Sequence, residues 1–216
     1  MSVRPCRLAV LISGAGSTMV NLQEHIIRGE VPAEIAVVVS SRSDALGVGR
    51  ARALGLEAHV LGRRPFRRGG AFDGAAYSAA LAELLFRFSP DLVVLAGFMT
   101  RLDASVLDRW PVMNVHPALL PAFGGEGFYG HRVHEAVLES GARTTGATVH
   151  FVDAEYDHGP IVAQEEVAVA PGDTPDDLAA RVQEAERRLY PRAVAAFARG
   201  ELADRCPVRS RMRGDT

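Results

Sequence analysis

The sequence predicts an α/β fold, in which a Rossmann-like, doubly wound and mostly parallel sheet ends in an antiparallel C-terminal extension. In the first half of the chain, short apolar runs alternate with helical patterns. Near-continuous apolar strands of this kind are typical of a parallel sheet covered by helices on both faces. After residue 110 the pattern changes, and two strand-like runs follow each other across a turn. We expect those two strands to pair antiparallel.

The predicted strands of the first half are short runs of apolar and β-branched residues. They lie at residues 8–12 (LAVLI), 35–39 (IAVVV), 58–61 (AHVL) and 92–96 (LVVLA). Helical patterns connect them at about residues 19–27, 44–54 and 73–87. Residues 62–71 (GRRPFRRGGA) have the composition of a loop. In a sheet built this way, the first βα turn is the natural ligand site.

The second half ends in helices with recognisable start signals. Its earlier predicted elements are a strand at 112–115, a loop at 117–130, a helix at 131–140 and strands at 145–152 and 161–169. Thr174 is the predicted N-cap of a helix that ends near Arg188. Pro191 is predicted to start a further helix that ends near Gly200. We expect one domain over residues 1–206, with a ribonucleotide-binding half at about 1–110 and a folate-binding, catalytic half at about 111–206, and a polar tail at 207–216.

Composition excludes several classes of function. The chain has 216 residues, 48% of them hydrophobic, and a net charge of −2, which gives no reason to expect nucleic-acid binding. Cys6 and Cys206 are too few and too far apart for a disulfide framework, and predict thiols in a reducing cytoplasm. The apolar run at 8–12 is too short for a membrane helix or a signal peptide. We therefore expect a cytoplasmic protein with small-molecule partners, and the sequence leaves a homo-oligomer open.

The first turn, SGAGST at residues 13–18, has features of an anion site. Gly14 and Gly16 let the backbone approach an anion, and Ser17 and Thr18 carry hydroxyl donors. The helix that follows adds its positive end. The pattern is neither a nucleoside triphosphate loop nor a complete dinucleotide fingerprint. A tight turn without a ligand explains the two glycines equally well.

Asn114 and His116 form the second candidate site. They lie two residues apart on a predicted strand, so their side chains share a face of the sheet. An amide and an imidazole that converge on one oxygen make an oxyanion site. The strand runs directly into Pro117 and a Gly-rich loop, and functional groups concentrate at such strand ends. This pair indicates transfer of an acyl-level carbon.

Three further polar residues each have two interpretations. Asp157 lies in the turn between the last two predicted strands, where an Asp is usually a turn former. If the fold brings it to His116, its carboxylate would raise the pKa of the imidazole and orient a water. Thr148 and His150 share a face of the preceding strand, and either line the site or are half-buried strand residues.

Two other kinds of active site are excluded by spacing. His131, His134 and His158 form no helical histidine pair with a completing carboxylate, so we reject a metal site. Ser13 and Ser17 lack the Gly-x-Ser-x-Gly turn of serine hydrolases.

Over residues 7–200 the chain resembles the folate-dependent formyltransferases. The resemblance is carried by LISGAGST at 11–18, LAGFM at 95–99, NVHPALLPAF at 114–123, GATVHFVDAEYDHGPIVAQ at 146–164 and RVQEAERRLYP at 181–191. The pair HPALLP and DHGP is specific to this superfamily. The first turn and the late helix point to the members that formylate glycinamide ribonucleotide in purine synthesis, with 10-formyltetrahydrofolate as the co-substrate and no metal.

The resemblance also implies roles for individual residues. Asn114, His116 and Asp157 would be catalytic. The ribonucleotide would bind at Gly14, Gly16, Ser17 and Thr18 with its phosphate, and at Gln183 and Glu186 with its ribose and glycinamide groups. The folate would bind at Leu95, Phe98, Met99, Thr100, Arg101, Leu102, Asn114, Asp153 and Asp157.

The chain departs from the family pattern at several places. Thr18 stands where Asn is common, the usual Met-Arg-Ile-Leu is replaced by MTRL at 99–102, and the loop GGEGFYGH at 124–131 is longer than usual. An arginine that often meets the folate is replaced around Gly74. Four arginines fall just before that position, at Arg63, Arg64, Arg67 and Arg68. They either attract the glutamate tail of the folate or belong to a solvated loop.

Three other functions compete with this interpretation. Methionyl-tRNA formyltransferase would carry a further C-terminal domain and a basic face, and formyltetrahydrofolate deformylase an N-terminal regulatory domain. The third is a non-catalytic anion-binding module, which leaves the combination of Asn114, His116 and Asp157 unexplained.

Overall fold

A seven-stranded sheet runs through the protein in the computed structural model, which describes residues 4–208. The strands in chain order are β1 (Cys6–Ile12), β2 (Ala33–Ser40), β3 (Ala58–Val60), β4 (Arg67–Arg68), β5 (Ala71–Phe72), β6 (Leu92–Ala96), β7 (Val112–His116), β8 (Thr144–Phe151) and β9 (Ile161–Ala168). The large sheet has the order β3-β2-β1-β6-β7-β8-β9, and β4 and β5 form a separate hairpin. In the large sheet β3, β2, β1, β6 and β7 are parallel to one another, whereas β8 and β9 are antiparallel to their neighbours. This confirms the predicted mostly parallel sheet with an antiparallel extension.

Helices cover both faces of the sheet. They are α1 (Ser17–Ile27), α2 (Leu46–Ala53), α3 (Gly74–Phe86), α4 (Ala104–Leu107), α5 (His131–Glu139) and α6 (Pro175–Ala198), with a 3₁₀ turn at Arg64–Phe66. Alternate residues of β1 belong to two separate cores: Leu8 and Val10 lie in the core that also contains residues of α1, α2 and α6, and Ala9 and Leu11 in the core that contains residues of α3 and α4. Strands buried on both faces are therefore almost wholly apolar. Because the strand order reverses between β1 and β6, a crevice forms at their carboxyl ends.

Helix α6 continues through Pro191, so the predicted break at this residue is wrong. A proline has no N–H to donate to the carbonyl four residues earlier, which in this helix belongs to Arg187. The side-chain amide of Asn21, on α1, donates to that carbonyl at 2.9 Å instead. The start of the helix is as predicted, since the Thr174 hydroxyl accepts the backbone N–H of Asp177.

Residues 62–71 are more ordered than their composition indicates. They form the 3₁₀ turn and most of the β4–β5 hairpin, and the guanidinium of Arg63 stacks 4.3 Å from the ring centre of Phe72. Phe66 packs edge-on against the buried ring of Tyr77. Contacts among the aromatic and arginine side chains of residues 63–77 thus hold this segment in a turn and a hairpin, where its composition predicted a loop. Most of the predicted tail, from residue 209 onward, lies outside the described residues.

Across residues 4–208, no helix combines the length and the apolar character needed to cross a membrane.

Candidate active site

A cavity of about 740 Å³ opens at the carboxyl ends of β6 and β7. Asn114 and His116 reach it from β7, and His150 reaches it from β8. Strand register explains their proximity, because Asn114 lies opposite His150 and His116 lies opposite Thr148. The Asn114 Nδ2 and His150 Nε2 atoms are 3.3 Å apart. Of the two strand residues with open interpretations, His150 therefore lines the cavity, whereas Thr148 is fully buried beside it.

The turn after β8 places Asp157 between the two histidines. Its Oδ2 lies 3.4 Å from Nδ1 of His116, and its Oδ1 lies 3.6 Å from Nε2 of His150. The backbone N–H of Gly125 donates to Oδ2 at 3.1 Å. The turn can fold back this closely because residue 159 is glycine: a Cβ there would lie 2.0 Å from the Phe151 carbonyl oxygen. Asp157 is thus both a turn residue, with φ of 55°, and a neighbour of His116.

Asp157 is ionised at neutral pH. Burial raises its pKa, but the hydrogen bond with His150, the charge of His116 and the N–H of Gly125 together outweigh burial and lower the net pKa below its ordinary value. The site therefore holds a carboxylate that can accept a proton.

Asp157 raises the pKa of His116, as expected, but the net pKa of His116 lies below its ordinary value. Burial lowers the pKa of His116, and this outweighs the opposing effects of Asp157 and of the Phe123 carbonyl. The Nε2 atom lies 2.8 Å from the Phe123 carbonyl oxygen, which can only accept, so this nitrogen carries the hydrogen. The imidazole is therefore neutral at neutral pH, with Nδ1 facing the Asp157 carboxylate.

The first turn is shaped by contact with α2. Gly16 has φ of 73°, and a Cβ on it would lie 2.8 Å from the Cα of Gly47. The Gly47 N–H also donates to the Gly14 carbonyl at 3.0 Å. Packing alone thus accounts for Gly16. Of the four residues predicted to bind phosphate, Thr18 lines the cavity; Gly14, Gly16 and Ser17 do not, within the described cavity wall.

The late helix brings Glu186 to the cavity, and burial raises its pKa to about 7. Gln183, three residues earlier, is exposed and is not part of the described cavity wall. One turn after Glu186, the buried hydroxyl of Tyr190 lies 3.0 Å from the Leu95 carbonyl oxygen and 2.6 Å from that of Met113. Tyr190 thereby fixes α6 to β6 and β7, which sets the position of Glu186.

All nine residues expected to contact the folate line the cavity. They come from separate chain segments, and Arg101 connects two of these segments by donating to the Ala154 carbonyl at 2.6 Å. Its guanidinium also lies 5.2 Å from the ring centre of Tyr156. The fold thus brings together residues that are 53 positions apart in the sequence.

Two features of the site were not predicted from the sequence. The Ser13 hydroxyl accepts the Met99 N–H at 2.9 Å and lies 2.6 Å from the Ser41 hydroxyl, so it joins the first turn to the segment after β6. Residues Gly125–Gly130 also line the cavity, with Phe128 half-buried. The unusual length of this loop was the available signal for the second feature.

The four arginines of residues 63–68 lie outside the described cavity wall. Arg63 is held on the Phe72 ring, and the other three are exposed. This placement favours the solvated-loop interpretation.

Comparison with known proteins identifies the family of this chain. The formyl transferase family profile matches residues 6–194. Phosphoribosylglycinamide formyltransferase, chloroplastic, of Arabidopsis thaliana is 41% identical over 193 residues, which are 88% of this chain and 65% of that protein. Phosphoribosylglycinamide formyltransferase of Escherichia coli (strain K12) is 36% identical over 198 residues, which are 90% of this chain and 88% of that protein.

The fold is also shared. Glycinamide ribonucleotide transformylase 1 from Symbiobacterium toebii has a crystal structure that superposes with a TM-score of 0.84 at 39% identity, covering 92% of this chain and 90% of that chain. The chain spans less than two thirds of the length of the plant relative. Because the family profile covers most of the chain, and the solved relative shares its fold, the chain belongs to the formyl transferase family.

Proposed function

We propose that this protein transfers the formyl group of 10-formyltetrahydrofolate to the amine of 5-phosphoribosylglycinamide, a step of purine synthesis. The observation that carries the proposal is the convergence of Asn114, His116 and Asp157 in one cavity. The names of the plant and bacterial relatives support the choice of acceptor. The choice of co-substrate is supported by the family and by the position at the cavity of the segments that the resemblance assigns to the folate.

In this proposal each substrate occupies one end of the cavity. The ribonucleotide lies between Thr18 and Glu186, with its phosphate near the start of α1, where backbone N–H groups point outward. The folate lies along residues 95–102 and the turn at 152–157. In this proposal each of the two expected halves, at about 1–110 and 111–206, supplies residues to both substrates.

The chemistry follows from the protonation states of the site. The amine nitrogen attacks the formyl carbon, a C–N bond forms, and negative charge develops on the formyl oxygen. The amide of Asn114 donates to that oxygen, a kind of contact whose removal typically costs about 10²–10³ in rate. The amine proton passes to the Asp157 carboxylate or, through it, to Nδ1 of His116. When His116 takes the proton, its positive charge is stabilised by the Asp157 carboxylate 3.4 Å away.

Completion of the reaction returns the proton. The tetrahedral intermediate collapses, the bond from its carbon to N10 of the folate breaks, and that nitrogen takes the proton back from Asp157 or, through Asp157, from His116. Overall, one hydrogen moves from the amine to the folate and the formyl group moves the other way. The resting neutral state of His116 suits this role, because a neutral imidazole can accept a proton.

We infer a cytoplasmic location from the two-cysteine composition. The rival acceptors are water, as in a deformylase, and a charged tRNA. Steady-state loss of 10-formyltetrahydrofolate should be measured with glycinamide ribonucleotide present, with it absent, and with methionyl-tRNA in its place. The proposal predicts that 10-formyltetrahydrofolate is consumed only when the ribonucleotide is the acceptor. Equal turnover without any acceptor would select the deformylase.

A further inference from the structure

One row of side chains crosses the antiparallel part of the sheet. His116 on β7 lies opposite Thr148 on β8, and Thr148 lies opposite Gln164 on β9. Directly opposed residues of neighbouring strands point to the same face of a sheet. A catalytic candidate thus lies at one end of the row, and an edge-strand glutamine at the other.

All three side chains of the row bond to one stretch of loop, residues 118–123. The Thr148 hydroxyl donates to the Ala118 carbonyl at 2.7 Å and accepts the Leu120 N–H at 3.0 Å. The Gln164 Nε2 donates to the Leu120 carbonyl at 2.9 Å. His116 itself lies 2.8 Å, through Nε2, from the Phe123 carbonyl oxygen. The loop that leaves β7 therefore returns over the row and is held at three points.

The hydrogen bonds of Thr148 and Gln164 are interdependent. Gln164 Nε2 has two hydrogens, and it bonds both the Leu120 carbonyl and the Thr148 hydroxyl, each at 2.9 Å. The Thr148 hydroxyl then has one donor and two acceptor bonds, which is its full capacity. Thr148 is wholly buried, so it is out of reach of any substrate. Loss of the buried Thr148 hydroxyl leaves the Ala118 carbonyl and the Leu120 N–H without this partner. Loss of the Gln164 amide, on an exposed residue of the edge strand, removes the second side-chain bond to Leu120.

Close packing leaves the loop few alternative positions. A Cβ on Gly146 would lie 2.7 Å from the Leu119 side chain, and one on Gly124 would lie 2.4 Å from the Leu120 side chain. The Leu119 side chain thus packs on Gly146 of β8, and the Leu120 side chain packs on Gly124 of the loop itself. Its position is set by these contacts and by the hydrogen bonds of the row.

We propose that Gln164 and Thr148 are positioning residues for His116. By fixing the loop, they hold the Phe123 carbonyl where it keeps the hydrogen of His116 on Nε2 and leaves Nδ1 facing Asp157. The inference rests on the proposed function for its kinetic readout, but not for its spectroscopic one. Neither residue lines the described cavity wall, so both act through the loop.

The test uses substitutions that remove hydrogen bonds while keeping volume. Gln164→Leu removes the amide and Thr148→Val removes the hydroxyl. Thr148→Ser keeps the hydroxyl and removes only the methyl group. Glu166→Leu is the matched control, since Glu166 is exposed and lies two residues further along the same face of β9. We expect kcat to fall about tenfold in Gln164→Leu and at least as far in Thr148→Val, as loss of a positioning hydrogen bond implies. KM for both substrates should stay within about twofold, and Thr148→Ser and Glu166→Leu should match the wild type.

Nitrogen NMR of the His116 imidazole provides the second readout. The wild type should show a single tautomer with hydrogen on Nε2, and Gln164→Leu should show a mixture or a shifted titration. If kcat and the His116 signals are unchanged in Gln164→Leu, the inference is wrong, whatever the melting temperature does. If Thr148→Val does not fold, the edge-strand Gln164→Leu variant decides alone. If the wild type does not formylate the ribonucleotide, the proposed function fails, and the NMR comparison still tests the positioning of His116.

Discussion

The side-chain amide of Asn21 donates to the carbonyl of Arg187, the group that Pro191 deprives of its helical partner. This hydrogen bond between α1 and α6 satisfies the free carbonyl and lets α6 continue without a break. Glu186, the neighbour of Arg187, is thereby presented to the cavity. A residue of the first helix thus supports the site from the far end of the chain.

We expect Asn21→Leu to lower the free energy of unfolding by about 1–3 kcal/mol, since it leaves the Arg187 carbonyl without a donor. Pro191→Ala supplies a backbone N–H to the same carbonyl. Asn21→Leu should therefore cost less in a Pro191→Ala background. Urea unfolding of the wild type, the two single variants and the double variant measures the coupling between the two positions. Strictly additive effects would contradict the hydrogen bond between Asn21 and the Arg187 carbonyl.

This pair shows what the sequence could and could not predict about the fold. Buried strands such as residues 92–96 are continuous apolar runs, and their pattern is local. The continuity of α6 depends instead on Asn21, which is far away along the chain, so Pro191 alone predicted a break. The hairpin at 67–72 was missed because its composition predicted a loop, whereas in the structure Phe66 and Phe72 pack against the buried ring of Tyr77.

Asn114→Ala removes the oxyanion donor and His116→Ala removes a proton acceptor, so each should lower kcat by about two orders of magnitude or more with the fold intact. Asp157→Asn should preserve substrate binding and lower kcat, because an amide can neither accept the amine proton nor stabilise a charged imidazole. Steady-state kinetics with both substrates separates these effects. Near-wild-type turnover in His116→Ala, or a change confined to KM in Asp157→Asn, would refute the proposed catalytic roles.

Glu186 should make stability depend on pH. Its pKa is about 7 in the folded protein against 4.5 ordinarily, so between these values the folded state keeps a proton that the unfolded chain has released. Stability therefore falls as the pH rises through this window. Glu186→Gln abolishes that fall and should gain up to about 3 kcal/mol on the wild type at its upper end. Glu184→Gln, on the exposed side of the same helix, controls for net charge. A difference between Glu186→Gln and wild type that is constant across the window would contradict the burial of this carboxyl.

Thr18→Val should raise KM for the ribonucleotide and leave KM for the folate nearly unchanged, because it removes a hydroxyl at the proposed phosphate end of the cavity. Gly16→Val is a poorer test, since its side chain would collide with Gly47 and should destabilise the whole protein. Initial-rate kinetics with each substrate varied in turn decides the matter for Thr18→Val. Equal changes in the KM values for both substrates would contradict the assignment of Thr18 to the phosphate site.

The candidate site was predictable where motifs are local and less so where contacts cross strands. Asn114 and His116 lie in one motif, and the residues assigned to the folate all reach the cavity. The protonation state of His116 was not predictable, because burial is a property of the folded protein. Gln164 was overlooked because its bond to Leu120 depends on strand register and on a returning loop.

The central claim is that the formyl carbon passes to a ribonucleotide amine at the site of Asn114, His116 and Asp157. The most direct measurement follows an isotope-labelled formyl carbon from 10-formyltetrahydrofolate by mass spectrometry, with glycinamide ribonucleotide and enzyme in single turnover. The account predicts that the label appears in N-formylglycinamide ribonucleotide with the wild type, and that His116→Ala slows its appearance by about two orders of magnitude. Label found in formate instead would contradict the account.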